Sequence, residues 1–173
     1  LADGFERIFQ ICKCFRQEER GGRHLPELTM LEWYTAHENY AHMMNQCERL
    51  LTAVLTHLGR GRLEIDYRGR LIELSPPWQR LSVAEAFDRY GSMSMLDALQ
   101  KKCFDEIMGL EIEPHLGLRQ PVFLVDYPLA CGALARRKPR LAADRCDLVE
   151  RFELYIAGLE LCNAFSELND PLE

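Results

Sequence analysis

The sequence lacks any apolar run near the ~20 residues that a membrane-spanning helix requires. Its first residues, Leu-Ala-Asp-Gly-Phe, show neither the basic start nor the apolar core of a signal peptide, and there is no initiator Met. There is no Gly-x-x-x-x-Gly-Lys and no Gly-x-Gly-x-x-Gly, so neither a P-loop nor a Rossmann turn is expected. Basic residues are outnumbered, 21 against 27, a net charge of −6 that argues against a strongly basic nucleic-acid binder while leaving room for a local basic patch. Internal repeats and low-complexity linkers are missing too. What remains is ordinary globular composition, 47% apolar and 28% charged, over 173 residues, enough for one domain with a real core.

Seven cysteines are present, an odd number at wide spacing, unlike a secreted disulfide scaffold. The close pair Cys12-Lys-Cys14 has too short a gap for ordinary zinc ligation, and in a strand the two simply share a face. Free thiols in a reducing cytoplasm are the expectation. His37, His42, His57 and His115 show no ligand spacing and no paired nucleophile.

Residues 5–16 and 27–36 alternate and are rich in Phe, Ile, Trp and Tyr, which predicts two strands. The charged, Gly-rich stretch 17–26 between them predicts an antiparallel hairpin. A helix is predicted over 39–58, where Met43, Met44, Cys47, Leu50, Leu51, Val54, Leu55 and Leu58 follow helical spacing and Gly59 suits the C-terminal cap. Asp-Tyr-Arg-Gly-Arg within 62–74 predicts a small hairpin. Ser82-Val-Ala-Glu85 is a capping box that opens a helix to Tyr90, and 93–108 predicts one further amphipathic helix. Pro121–Pro128 reads as a buried strand, 136–145 as a basic exposed loop, and 147–168 as two strands around Ala157-Gly158. The fold class expected is α+β, an antiparallel sheet flanked by helices.

Three constellations carry chemistry. Arg16-Gln-Glu18, followed by Arg20, Arg23 and His24, suits a polyphosphate, because guanidinium forks match phosphate oxygens; the alternative is a solvated hairpin tip. Glu153 and Glu160, with Glu167 seven residues on, converge if Ala157-Gly158 is a turn, and two carboxylates near a nucleotide hold Mg²⁺. The alternative is ion pairing with Arg145 or Arg151. Glu32 and Tyr34 share a strand face and suit a cationic amine; the alternative is an ordinary half-exposed strand face.

Taken together, Arg16–Tyr34 resembles motif 2 of the class II aminoacyl-tRNA synthetases in their lysine branch, and Arg151–Asp170 resembles that branch's metal- and lysine-binding stretch. Within the branch, Glu111–Ala130, Met30–Tyr34 and Leu159–Leu161 are most similar to the elongation factor P–lysine ligase, a paralogue without an anticodon-binding domain. The resemblance implies a partial class II catalytic domain over 1–173, with motif 2 at about 5–36 and the binding strands at about 147–168. Motifs 1 and 3 are not among these residues, so the piece alone is expected to have little adenylation activity. ATP and Mg²⁺ are the implied cofactors.

Arg16 would meet the α-phosphate as the catalytic cation. Gln17, Glu18, Leu25, Leu28, Glu160 and Leu161 would surround the nucleotide, Glu18 reading the adenine amino group, with Arg23 and His24 at the distal phosphates. Glu153 and Glu160 would carry the metal, and Glu32, Tyr34, Asn163, Phe165 and Glu167 would line the amino-acid pocket. The implied reaction is activation of lysine or β-lysine as an acyl-adenylate and transfer to a lysine of elongation factor P, the second reading being the charging of lysine tRNA. The implied assembly is a cytoplasmic homodimer of the full-length protein, with no membrane partner. Leu25 stands where the branch usually has Asn, Leu28 where a Phe stacks on adenine, and Asn163-Ala-Phe165 replaces Asn-Gly-Phe; Cys162 replaces Gly or Ala. These replacements motivate a third reading, a synthetase-like binding module without catalysis.

Overall fold

The computed structural model describes residues 3–17, 25–58, 61–132, 134–141 and 146–170. They fall into two compact units that divide at Glu38/Asn39.

The first unit is the predicted hairpin. β1 (Arg7–Phe15) pairs antiparallel with β2 (Glu27–Thr35), Gln10 opposite Glu32 and Cys14 opposite Leu28. β-branched and aromatic residues suit this pleated surface. Arg16 N–H donates to the Pro26 carbonyl at 2.9 Å, continuing the pairing beyond the strand ends.

The second unit opens with α1 (Tyr40–His57), whose N-cap Asn39 accepts from the amides of Ala41 and His42. Its buried stripe is narrower than the spacing predicts: Met44, Cys47 and Leu55 are buried, while Leu50, Val54 and Leu58 are exposed. The predicted cap Gly59 lies outside the described residues. β3 (Glu64–Tyr67) and β4 (Arg70–Glu73) form the small hairpin, turning at Arg68-Gly69.

A four-stranded sheet follows in the order β5 (Gln79–Ser82), β6 (Val122–Pro128), β7 (Leu148–Ile156), β8 (Leu159–Phe165). The α+β class holds, with one difference: β5 runs parallel to β6, so this sheet is mixed rather than wholly antiparallel. β5 is four residues long with only Leu81 buried, too short and polar to register as a strand by pattern. A parallel neighbour needs a long crossover, and α2 (Val83–Tyr90), α3 (Met95–Lys101) and α4 (Phe104–Ile107) supply it. Their Phe87, Ala98 and Ile107 share a core with Leu124 and Tyr155 on one sheet face. α1 packs against β7 and β8. Cys162 faces Cys47 of α1, the sulfurs 3.9 Å apart, and all seven cysteines are free thiols.

The single helix predicted over 93–108 is corrected. Lys102 takes a left-handed conformation (φ 58°), its amide reaching back to Ala98 and Leu99, which ends α3; α4 and a π-helical turn, Met108–Ile112, follow. The apolar period survives the break because Met95, Ala98, Phe104, Ile107 and Met108 all pack into one core. The basic stretch after Leu134 is not a free loop either. Arg136 N–H donates to Ser166 O and Lys138 N–H to Leu148 O, while their side chains pair with Glu150 and Asp126. Residues 142–145 lie outside the described residues.

The capping box is present as predicted: Glu85 N–H donates to Ser82 Oγ, and Ser82 N–H donates to the Glu85 carboxylate. That amide and the Ser82 hydroxyl lower the Glu85 pKa. Ser82→Ala is expected to destabilise the second unit by about 1 kcal/mol in urea unfolding. A depressed carboxylate stabilises above its ordinary range, so in the parent protein this contribution fades as pH falls below ~4.3. In Ser82→Ala the fading is expected to be smaller.

Candidate functional site

β7 and β8 set the site, and the turn between them aligns it. Ala157 (φ 58°) and Gly158 (φ 72°) both take positive φ, the form that matches strand twist in a two-residue hairpin. Gly117 lies against this turn: its carbonyl accepts Ala157 N–H and that of Leu116 accepts Gly158 N–H, each at 2.8 Å. The register has one irregularity: Tyr155 pairs with Glu160 while Leu154 pairs with Cys162, leaving Leu161 over. Arg151, Glu153 and Tyr155 therefore share a face with Glu160, Asn163 and Phe165.

Glu153 is 8% exposed and accepts three charge-ordering bonds. Tyr127 Oη and Tyr155 Oη donate to its Oε2 at 2.6 and 2.7 Å, and Arg151 Nη2 donates to its Oε1 at 2.7 Å. Arg151 also donates to Asn163 Oδ1 and the Cys131 carbonyl, and its guanidinium lies 4.5 Å from the Tyr127 ring centroid. Burial first, and then the Glu153 carboxylate, push both phenols upward, Tyr127 well above its ordinary range. Both tyrosines stay neutral donors at neutral pH.

Glu153 and Glu160 line one cleft, together with Asp105, Glu113, Arg151 and Cys131. Its volume is about 160 Å³, below the ~300–1,000 Å³ of whole small-molecule sites, so it suits part of a ligand. Four carboxylates and one guanidinium line it. Among the described residues no group of three His, Cys, Asp or Glu side chains is arranged to hold a metal ion by itself. The alternative ion pair is present, Arg151 with Glu153 at 2.7 Å. A carboxylate has about four acceptor sites and Glu153 uses three, so an Mg²⁺ held mainly by exposed Glu160 and phosphate oxygens, with the remaining site of Glu153, fits the residues present.

The remaining sequence candidates fall as follows. Glu32 and Leu28 are half-buried on one hairpin face, where Glu32 accepts from Gln10 Nε2 at 2.7 Å; Tyr34 on that face and Leu25 near the tip are exposed. Arg16 and Gln17 follow β1 directly. Glu18, Arg23 and His24 lie outside the described residues, as do Arg20 and Arg145. Asn163 and Leu161 are exposed, Phe165 is half-buried, and Glu167 forms an isolated bridge with Ala135. Sequence reasoning missed Tyr127 and Tyr155 as supports of Glu153. The alternating Arg151-x-Glu153-x-Tyr155 is the signal that finds one of them.

The family of class II tRNA synthetases (D, K and N) matches residues 1–173. The chain belongs to that family. Among its relatives are lysine–tRNA ligases of Magnetococcus marinus, 36% identical over 192 residues, and Chloroflexus aurantiacus, 39% identical over 194 residues. A third, from Pelotomaculum thermopropionicum, is 37% identical over 194 residues. Each alignment takes in 100% of this chain, which spans 37–38% of the length of these relatives. Among the described residues of this class II synthetase chain, no helix is long and apolar enough to cross a membrane.

Proposed function

We propose that this chain is part of a ligase that activates lysine with ATP and transfers it to lysine tRNA. The observation that carries the reading is Glu153, a buried carboxylate fixed by three donors beside Glu160 in an acidic cleft, within a chain similar along its whole length to lysine–tRNA ligases. The lysine carboxylate attacks the α-phosphorus of ATP and pyrophosphate leaves; the acceptor hydroxyl then takes the acyl group from the acyl-adenylate and AMP leaves. Little proton transfer by the protein is needed, so positioning and charge supply the catalysis.

In this reading Arg16 offsets charge developing at the α-phosphate, with Gln17, Glu18, Leu25, Leu28 and Leu161 around the nucleotide and Arg23 and His24 at its distal phosphates. Glu153 and Glu160 would hold Mg²⁺, which would supply neutralisation of phosphate charge. Glu32, Tyr34, Asn163, Phe165 and Glu167 receive the amino acid, a carboxylate there suiting the ε-ammonium. The acceptor separates this from a second reading, in which a lysine of elongation factor P takes lysine or β-lysine. That reading rests on the resemblance of Glu111–Ala130 and Met30–Tyr34 to the elongation factor P–lysine ligase. Full-length protein incubated with ATP and labelled α-lysine or β-lysine, then offered lysine tRNA or elongation factor P, distinguishes them. Label from α-lysine on tRNA is expected. Label on elongation factor P alone would replace the first reading with the second, and label on neither would contradict both.

A further inference from the structure

β6 does not alternate regularly. Val122 and Leu124 face the cleft side of the sheet, as paired neighbours of Tyr155 and Glu153. Tyr127, an odd number of residues on from both, belongs by alternation to the opposite side, yet its hydroxyl lies 2.6 Å from Glu153. The reversal occurs at Asp126, whose φ is +63°, at a register shift between Val125 and Tyr127. A left-handed conformation is uncommon for a residue other than glycine, with Asn and Asp the most tolerant, and costs about 1–2 kcal/mol. Something must hold it. Tyr40 Oη, at the start of α1, donates to Asp126 Oδ1 at 2.9 Å, and Lys138 Nζ donates to Oδ2 at 2.7 Å, both partly buried. The α1 end is itself tied down, Tyr40 N–H donating to Ser166 Oγ at 2.9 Å.

We infer that Asp126 is a positioning residue for the metal-binding carboxylate: its left-handed backbone, pinned by Tyr40 and Lys138, turns Tyr127 onto Glu153. Asp126 touches neither nucleotide nor lysine in this account. It acts through Tyr127, which takes up one oxygen of Glu153 and carries the Arg151 guanidinium over its ring, so that both charged groups keep one orientation. The inference rests on the proposed role of Glu153 in holding Mg²⁺.

The test is Mn²⁺ binding to the full-length protein with ATP, read by electron paramagnetic resonance, beside lysine-dependent pyrophosphate exchange. Asp126→Val, with a β-branched residue that resists positive φ, and Tyr127→Phe are each expected to weaken Mn²⁺ binding about tenfold, the usual scale for residues that orient a ligand. The double variant is expected to be no weaker than either alone, because both remove the same support. Asp126→Gly, which loses both anchors but meets no penalty at positive φ, is expected to lose less than Asp126→Val. Lys138→Met is the second route, since it leaves β6 untouched: its loss and that of Tyr127→Phe are expected not to add. Parent-like Mn²⁺ binding in Asp126→Val, losses that multiply in either double variant, or a loss in Asp126→Gly as large as in Asp126→Val would overturn the inference. If this Mn²⁺ pattern holds while the parent protein shows no lysine-dependent exchange, the positioning stands and the proposed function falls.

Discussion

Gly117→Ala is expected to destabilise the second unit by about 3 kcal/mol, the sum of a left-handed alanine at ~1–2 kcal/mol and an overpacked contact at ~1–3 kcal/mol. Gly117 sits at φ +67°, and a β-carbon there would lie 2.8 Å from the Tyr155 carbonyl carbon and the Ile156 Cα, closer still to the Tyr155 oxygen. These are backbone atoms of β7 and cannot rotate away as a side chain tip can. The strain falls on the turn that brings Glu153 and Glu160 into one cleft, so lysine-dependent exchange is expected to fall with stability. Gly109→Ala is the control: a β-carbon there meets nothing within 4 Å. Urea unfolding measures both. A Gly117→Ala midpoint equal to that of Gly109→Ala, at unchanged slope, would show that the close approach to β7 is not needed.

The second large effect is at Glu153. Glutamine keeps the volume and loses the charge. It also presents one oxygen and one amide where three donors converge, so its NH₂ must face either Arg151 or the two tyrosine hydroxyls. Removing one partner of a buried pair leaves the other uncompensated, typically at ~3–5 kcal/mol. Arg151 keeps Asn163 and the Cys131 carbonyl, which places Glu153→Gln at the lower end, about 3 kcal/mol. Exchange is expected to fall by about 10²–10³-fold, the scale for losing one preorganised electrostatic contact. Glu160 is exposed, so Glu160→Gln is expected to reduce exchange while changing stability by less than about 0.5 kcal/mol. Equal stability losses in the two variants would show that the bonds to Glu153 do not hold it as described.

These two predictions rest on features of different legibility. The Ala157-Gly158 turn, the β1–β2 hairpin and the Ser82 capping box could be read from residue types, because each rests on local chemistry: Gly at positive φ, alternation, a hydroxyl three residues before a carboxylate. From the turn, the convergence of Glu153 and Glu160 followed. What could not be read depends on contacts distant in sequence. Apolar spacing over 93–108 records burial in one core, and says nothing of the left-handed Lys102 that breaks the helix. Val-Asp-Tyr-Pro within β6 carries no mark of the reversal at Asp126, because its anchors, Tyr40 and Lys138, stand 86 and 12 residues away. Tyr127 therefore belongs to the wrong face by pattern and to the cleft in fact. Residue chemistry singled out the hairpin residues Arg16, Gln17, Glu32 and Tyr34, alternation put Glu32 and Tyr34 on one face, and the family resemblance then implied their roles.

Lysine activation is the proposed activity of the full-length protein. The most direct measurement is ATP–pyrophosphate exchange by the full-length protein with Mg²⁺, run separately with lysine, aspartate and asparagine, the three amino acids of its family. Exchange is expected with lysine, and none above background with the other two. Exchange driven by aspartate or asparagine, or no exchange with lysine, would contradict the proposed activity.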